Sequence, residues 1–134
     1  MFDLTEDPEG QPVVWIVDPE QWPRANLRAE LIERGYDAVG HVDLAPALAA
    51  LTGVRPRRPR VIVLELRGQS ITASQMKQLA SSGVAVVMIG GAVELREPWI
   101  GGCSWGSILK RPVTLGEVAD TVDRIMAAQG SSPQ

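Results

Sequence analysis

The sequence predicts one doubly wound α/β domain, a parallel five-stranded sheet covered by helices on both faces. Two observations carry that prediction. Residues 13–17, 61–66 and 84–89 are nearly continuous apolar runs, the pattern of strands buried on both faces rather than the alternation of a sheet with one wet side. Between and after them lie segments with apolar residues at helical spacing, punctuated by caps and glycines, so strand and helix alternate along the chain. Parallel crossovers are right-handed, which leaves few ways to wind such a chain.

Residues 1–12 hold four acids and two prolines ahead of any periodic pattern, so 1–11 are expected as a flexible acidic leader and 12–128 as the domain. The first strand covers 13–17 and ends at Asp18-Pro19-Glu20. A helix over 21–34 puts Leu27 and Leu31 on its core face, tolerates Pro23 in the first turn, and stops at Gly35. Residues 36–42, poorer in apolar side chains, read as a second strand at or near a sheet edge. Asp43 is placed as the N-cap of a helix carrying Leu44, Leu48 and Leu51, closed by Gly53. A Pro/Arg loop over 54–60 leads into the third strand, whose single carboxylate is Glu65.

A third helix over 72–81 turns Met76 and Leu79 inward, and the fourth strand, 84–89, ends at Gly90-Gly91. Pro98, Gly101 and Gly102 then leave room for little more than a turn near 93–97, so the fourth helix is expected to be short or irregular. Residues 106–110 make the fifth strand, and Arg111-Pro112 turns the chain. Thr114 and Glu117 form a capping box for a last helix with Leu115, Val118, Val122 and Ile125 inward, and 129–134 are expected as a polar tail or linker.

Composition bounds the function. A chain of 134 residues with 45% hydrophobic and 22% charged content suits one globular domain with its own core. A net charge of -3 gives no reason to expect nucleic acid or membrane across the whole surface. The lone Cys103 excludes an internal disulfide and fits a reducing cytoplasm, and one His with one Cys argues against a structural zinc site. No apolar run approaches a membrane span, and the acidic start does not read as a signal peptide.

Ligands of open α/β sheets collect at the carboxyl ends of the strands. There the sequence places Asp18 and Glu20 after strand one, Glu65 at the end of strand three, and Arg111 after strand five. With the strand rhythm and the Arg-Pro turn, this arrangement resembles the response-regulator receiver domain over about residues 12–127. The resemblance implies a flavodoxin-like sheet of order 2-1-3-4-5 and a role in two-component signalling. In that family an acidic pair after strand one holds Mg²⁺, and an aspartate ending strand three takes a phosphoryl group from a histidine kinase. A Ser/Thr after strand four and a Lys before a proline after strand five bind that group, and an aromatic residue in strand five reports the change. The Lys-Pro bond is usually cis, so the resemblance implies a cis Arg111-Pro112 bond.

This sequence departs from the family at nearly every such place. Asp18 keeps the first acid, but Pro19 replaces the second, and Glu20 is offset from it. Mg²⁺ tolerates missing ligands poorly, so no metal and no other cofactor is expected. Glu65 replaces the aspartate, and its extra methylene moves the nucleophile by about an ångström, enough to spoil in-line attack. Gly90 supplies no hydroxyl, Arg111 stands for the lysine with Lys110 beside it, and Ile108 falls at the aromatic position. Together these point to a degenerate receiver without enzymatic activity of its own. Without Mg²⁺, Asp18 and Glu65 would repel each other, and the Arg111 guanidinium is expected to bridge them as a permanent internal cation. The competing reading leaves Glu65 a solvated strand-end acid.

The expected role is a cytoplasmic, phosphorylation-independent interaction module, pairing with a signalling protein or with a second copy through the surface of helix four, strand five and helix five. Two alternatives stand beside it: an atypical phosphoacceptor using Asp18 or Glu65, and a small-ligand sensor whose Gly90-Gly91 amides hold an anion. Trp99 and Trp105 serve either as interface anchors or as rings packed under the broken segment. Trp15 belongs in the core. Arg55, Arg57, Arg58 and Arg60 read as a solvated loop rather than a nucleic-acid patch, His41 as a surface residue, and Cys103 as a semi-buried filler.

Overall fold

The computed structural model describes residues 10–53, 57–101 and 105–130. The order is β1 (Val13–Val17), α1 (Gln21–Glu33), β2 (Asp37–His41), α2 (Leu44–Leu51), β3 (Val61–Glu65), α3 (Ala73–Ser81) and β4 (Ala85–Gly90), then a 3₁₀ turn (Glu94–Arg96), α4 (Pro98–Gly101), β5 (Ser107–Lys110) and α5 (Leu115–Gly130). All strand pairs are parallel and the sheet runs β2-β1-β3-β4-β5, the predicted order, with β2 at one edge and β5 at the other. Arg55 and Cys103 lie outside the described residues, as do most of the leader and the end of the tail.

The unbroken runs follow from a core on each face. In β3, Val61 and Val63 pack with Leu27, Leu31, Val118 and Val122 of α1 and α5, while Ile62 and Leu64 pack with Leu48, Met76 and Leu79 of α2 and α3. Successive strand residues point to opposite faces, so both faces demand apolar side chains. That same alternation decides the site. Asp18 follows Val14 and Ile16 in step, Glu65 follows Val61 and Val63, and Arg111 follows Leu109, so all three belong to the face of α1 and α5. Ile108 and Lys110 are one residue out of step and are exposed.

Helix α1 ends where Gly35 takes φ of +96°, its N–H donating to Ile32 O at 3.0 Å while the Tyr36 N–H reaches Leu31 O at 3.1 Å. A side chain there would be strained, which is why a glycine closes the helix. The Thr114–Glu117 capping box forms in both directions, at 3.1 and 2.8 Å. A second box, Thr72 with Gln75, opens α3 and was not foreseen.

Several expectations need correction. Asp43 holds the N-cap position of α2, but its side chain makes no cap bond. Instead the Leu44 N–H donates to Gln69 Oε1 at 3.2 Å, so the cap comes from a distant loop. Leu115 is 40% exposed rather than inward, because the first turn of α5 stands at the mouth of a cavity. Helix α5 continues through Gln129 to Gly130, two residues into the expected tail, with the Gln129 side chain donating to Arg60 O. His41 is half-buried against Trp15, ring centroids 4.5 Å apart, and burial pushes its pKa down.

Candidate functional site

The carboxyl ends of β1, β3 and β5 meet beside the starts of α1 and α5 around a cavity of about 380 Å³. Asp18, Glu65, Arg67 and Arg111 supply its charged groups, Asn26 and Thr114 neutral polar ones, and Trp22, Leu27, Ile89, Val113, Leu115 and Val118 supply apolar walls. Both carboxylate residues, Asp18 and Glu65, are 6% exposed.

Arg111 faces this cavity and Lys110 does not. One guanidinium nitrogen of Arg111, Nη1, donates to both Glu65 oxygens at 2.7 and 2.6 Å, and the other, Nη2, donates to Glu94 Oε1 at 3.0 Å. The same Glu94 oxygen accepts the Gly91 N–H at 2.6 Å. The expected Arg111 bridge therefore exists with a different second partner: Glu94 of the β4–α4 segment, not Asp18. The reason is reach: the Arg111 N–H bonds Gly90 O at 2.9 Å, which sets the arginine directly across from that segment. The Arg111–Pro112 bond is cis.

Glu65 is not solvated. Its Oε2 also accepts the Arg67 N–H at 2.8 Å, and its backbone carbonyl accepts from Gln69 Nε2 at 2.5 Å. Asp18 Oδ1 accepts the Glu20 N–H at 2.9 Å. Burial raises the Asp18 pKa above its ordinary value of 3.8, against the lowering effect of that hydrogen bond, and the neighbouring Glu65 charge adds to the rise. Glu20 turns outward and accepts from Arg67 Nη2 at 3.2 Å.

Gly90 is the last residue of β4, and a Cβ there would sit 3.1 Å from Leu66 Cδ1 and 3.1 Å from Leu95 Cδ2. Leucine side chains thus occupy the space that a hydroxyl-bearing residue would need. The Gly91 amide, expected as a bare anion site, is already filled by Glu94. Trp99 and Trp105 are partly buried against the α2/α3 side of the core, with Trp105 Nε1 donating to Ile100 O at 3.2 Å. Trp99 and the buried Ile100 are what the four-residue α4 adds to that core. The exposed tryptophan is Trp22, at 73%.

Among solved structures, a response regulator receiver protein from Pseudomonas putida superposes with a TM-score of 0.71 and 23% identity, over 85% of this chain and 97% of that one. A receiver domain protein from Clostridium thermocellum gives 0.74 and 13%, over 89% and 97%. The chain has the receiver-domain fold. NtrX from Brucella abortus, crystallised with ATP, matches at 0.69 and 21% over 88% of this chain, which spans 27% of that protein. No protein-family model matches the sequence, and no curated protein does.

The receiver fold makes Mg²⁺ the ion to test against these residues, and they do not fit it. Pro19 brings no carboxylate, Glu20 is paired with Arg67, and Glu65 is occupied by Arg111 and the Arg67 amide. Only the Asp18 carboxylate is outside an ion pair, too little for a hard cation that demands several oxygens in octahedral geometry. Among the described residues no group of three or more His, Cys, Asp or Glu is placed to hold a metal. Sequence reasoning missed Arg67, Glu94 and Trp22. Glu94 lies in the segment broken by Pro98 and the glycines, where periodicity carries no signal. Trp22 sits in the first turn of α1, outside the Leu27/Leu31 stripe, and that offset was the available clue.

Proposed function

We propose that this chain is a pseudo-receiver, a regulatory module that works through protein contacts and takes no phosphoryl group. One observation carries the reading: Arg111 ties Glu65 to Glu94 while Glu94 occupies the Gly91 amide. In a receiver, as the resemblance has it, the strand-three acid is the nucleophile and the strand-five cation holds the incoming phosphoryl group. Here the acid is neutralised by that cation, and a second carboxylate of the chain supplies the negative charge the cation would otherwise seek. The module is not an enzyme on this reading and resides in the cytoplasm. Among the described residues, no helix is long and apolar enough to cross a membrane.

The partner is a signalling protein or a second copy, and the surface of α4, β5 and α5 is the one we assign to it. Support comes from β5 being an edge strand, with Ile108 44% exposed. Trp99 and Trp105, already packed inward, contribute by shaping that surface rather than by inserting into a partner. The pocket reading is tested by incubating the protein with acetyl phosphate and Mg²⁺ and measuring intact mass. No added phosphoryl mass is expected for wild type or for Glu65→Asp, because that change leaves Pro19 and Gly90 in place and such groups act together. Labelling of either protein overturns the reading.

A further inference from the structure

The sheet end that carries the cavity is short of positive charge. Four acids stand there, Asp18, Glu20, Glu65 and Glu94, with three arginines, Arg24, Arg67 and Arg111. Each arginine already has an oxygen partner, although the buried Nε of Arg67 has none. Arg111 holds Glu65 and Glu94, Arg67 holds Glu20, and Arg24 donates to the backbone carbonyl of Asp18 at 2.7 Å rather than to its carboxylate. Among the described residues Asp18 is the one of these acids in no ion pair, and its carboxylate accepts a single hydrogen bond, from the Glu20 N–H. It is nevertheless 94% buried, being 6% exposed, and it lines the cavity. The cation acting on it, Arg67, makes no ion pair with it, and a buried acid with one donor and no paired cation is costly unless something brings both.

Beyond Asp18 the lining is largely apolar, with Asn26 and Thr114 as its neutral polar members. Trp22 and Leu115 flank its mouth, 73% and 40% exposed, over Leu27, Ile89, Val113 and Val118. At about 380 Å³ the space is within the range of sites for small organic molecules. We propose that this cavity binds a small protonated amine with an aromatic or branched aliphatic body, its N–H donors on the Asp18 carboxylate and its body against Trp22, Leu27 and Leu115. The chemistry selects this class over the others. An anion meets surplus negative charge and finds the Gly91 amide taken; Mg²⁺ finds one free carboxylate; a neutral apolar body leaves Asp18 unpaired. Trp22 at the rim adds an aromatic face, which attracts a cation as well as an apolar body. The inference rests on the locked pocket in one respect: Arg111 must stay on Glu65 and Glu94 for Asp18 to remain free.

The test uses phenethylammonium chloride, with 2-phenylethanol and 3-phenylpropionate as neutral and anionic analogues and NaCl-matched buffer. Binding is read by titration calorimetry and by the Trp22 indole N–H and Asp18 amide signals in NMR. Saturable binding of the ammonium is expected, with both analogues about tenfold weaker or more, the value of one charge-assisted hydrogen bond. Asp18→Asn should erase that preference while keeping the fold, and Trp22→Ala should weaken all three compounds. Equal binding of the ammonium and the alcohol overturns the proposal, as does an unchanged preference in Asp18→Asn or no saturation below about 20 mM. The isostere comparison needs only wild type, so it holds even if a variant misfolds. Those failures leave the pseudo-receiver reading intact, since phosphoryl mass is measured separately. Displacement of the amine by sub-millimolar Mg²⁺ overturns both.

Discussion

Two arginines each gather several oxygens in this molecule, and their surroundings differ. Arg34, at the C-cap of α1, reaches Glu30, Asp120 and Asp123 at 2.9, 2.8 and 2.7 Å, and Tyr36 adds a 2.5 Å bond from its hydroxyl to Asp123. Arg111 reaches Glu65 and Glu94 at 2.6 and 3.0 Å. The cations are equally shielded, with side chains 25% and 24% exposed. The acids are not. The acid side chains around Arg34 are 30%, 61% and 43% exposed; of the two on Arg111, Glu94 is 34% exposed but the Glu65 side chain only 8%. Similar geometry therefore does different work. The Arg34 cluster joins α1 to α5 with groups that water would accept readily if released. The Arg111 cluster holds one carboxylate, Glu65, that has little water to turn to, so Glu65 depends on the arginine.

The sharpest way to break this comparison is to remove the cations in turn. Arg111→Ala should cost about 2–4 kcal/mol in urea unfolding, toward the lower end for a broken buried pair because the arginine is partly exposed. Adding Glu65→Gln to it should recover part of the loss by removing the stranded charge. Arg34→Ala should cost several times less, with an effect that shrinks in high salt. Equal losses at the two sites would show that partner burial is not what separates them.

The next effect is steric. Gly90→Ser, which supplies the hydroxyl a working receiver is expected to have, should destabilise by about 1–3 kcal/mol, the cost of overpacking. Its Cβ would meet Leu66 and Leu95, each at 3.1 Å. Leu95→Ala in the same chain should relieve part of the strain. A Gly90→Ser protein as stable as wild type in urea would mean that the leucines yield freely and do not exclude the residue.

How much of this was legible depended on periodicity. The runs in β1, β3 and β4 announced strands buried on two faces, and their carboxyl ends located Asp18, Glu65 and Arg111 near one end of the sheet. Gly35 and the Thr114–Glu117 pair marked helix ends through local chemistry alone. Contacts between loops left no such trace. The choice of Glu94 rather than Asp18 as the second partner of Arg111 depends on how the β4–α4 segment folds back, and that segment has no repeating pattern. The Gln69 side chain at the start of α2 replaced the cap expected of Asp43 for the same reason: it arrives from 25 residues away. Leu115 fitted the helical stripe but stands over a cavity, which no periodicity reveals.

A third prediction sharpens the Arg111 side of the comparison. Glu94→Ala should frustrate the Gly91 N–H and one arm of Arg111, for a loss of about 1 kcal/mol, since Glu94 is partly solvated. The vacated position then becomes an anion site. Inorganic phosphate should raise the Tm of Glu94→Ala beyond its general salt effect on wild type. Identical phosphate responses in the two proteins would mean that Glu94 is not filling that position.

The smallest expected effect is a slope with pH, and it belongs to the acid outside the ion pairs. Burial raises the Asp18 pKa above 3.8 in the folded protein, and Glu65 adds to the rise. In the unfolded chain the acid titrates near its ordinary value, so between the two values the folded state binds more proton. Stability contributed by Asp18 therefore falls as pH rises through that interval, and is flat above it. Asp18→Asn removes this titration, so its stability relative to wild type should climb as pH rises from about 4 and then level off. His41 works in the opposite direction. Its pKa is lowered from 6.5 by burial, so it favours the folded state less as pH falls below that value. That contribution is common to both proteins and cancels in the difference. Urea midpoints of the two proteins across pH 4 to 7 give the curve directly. A relative stability of Asp18→Asn that stays constant, or falls as pH rises, would show that Asp18 is not held above its ordinary value.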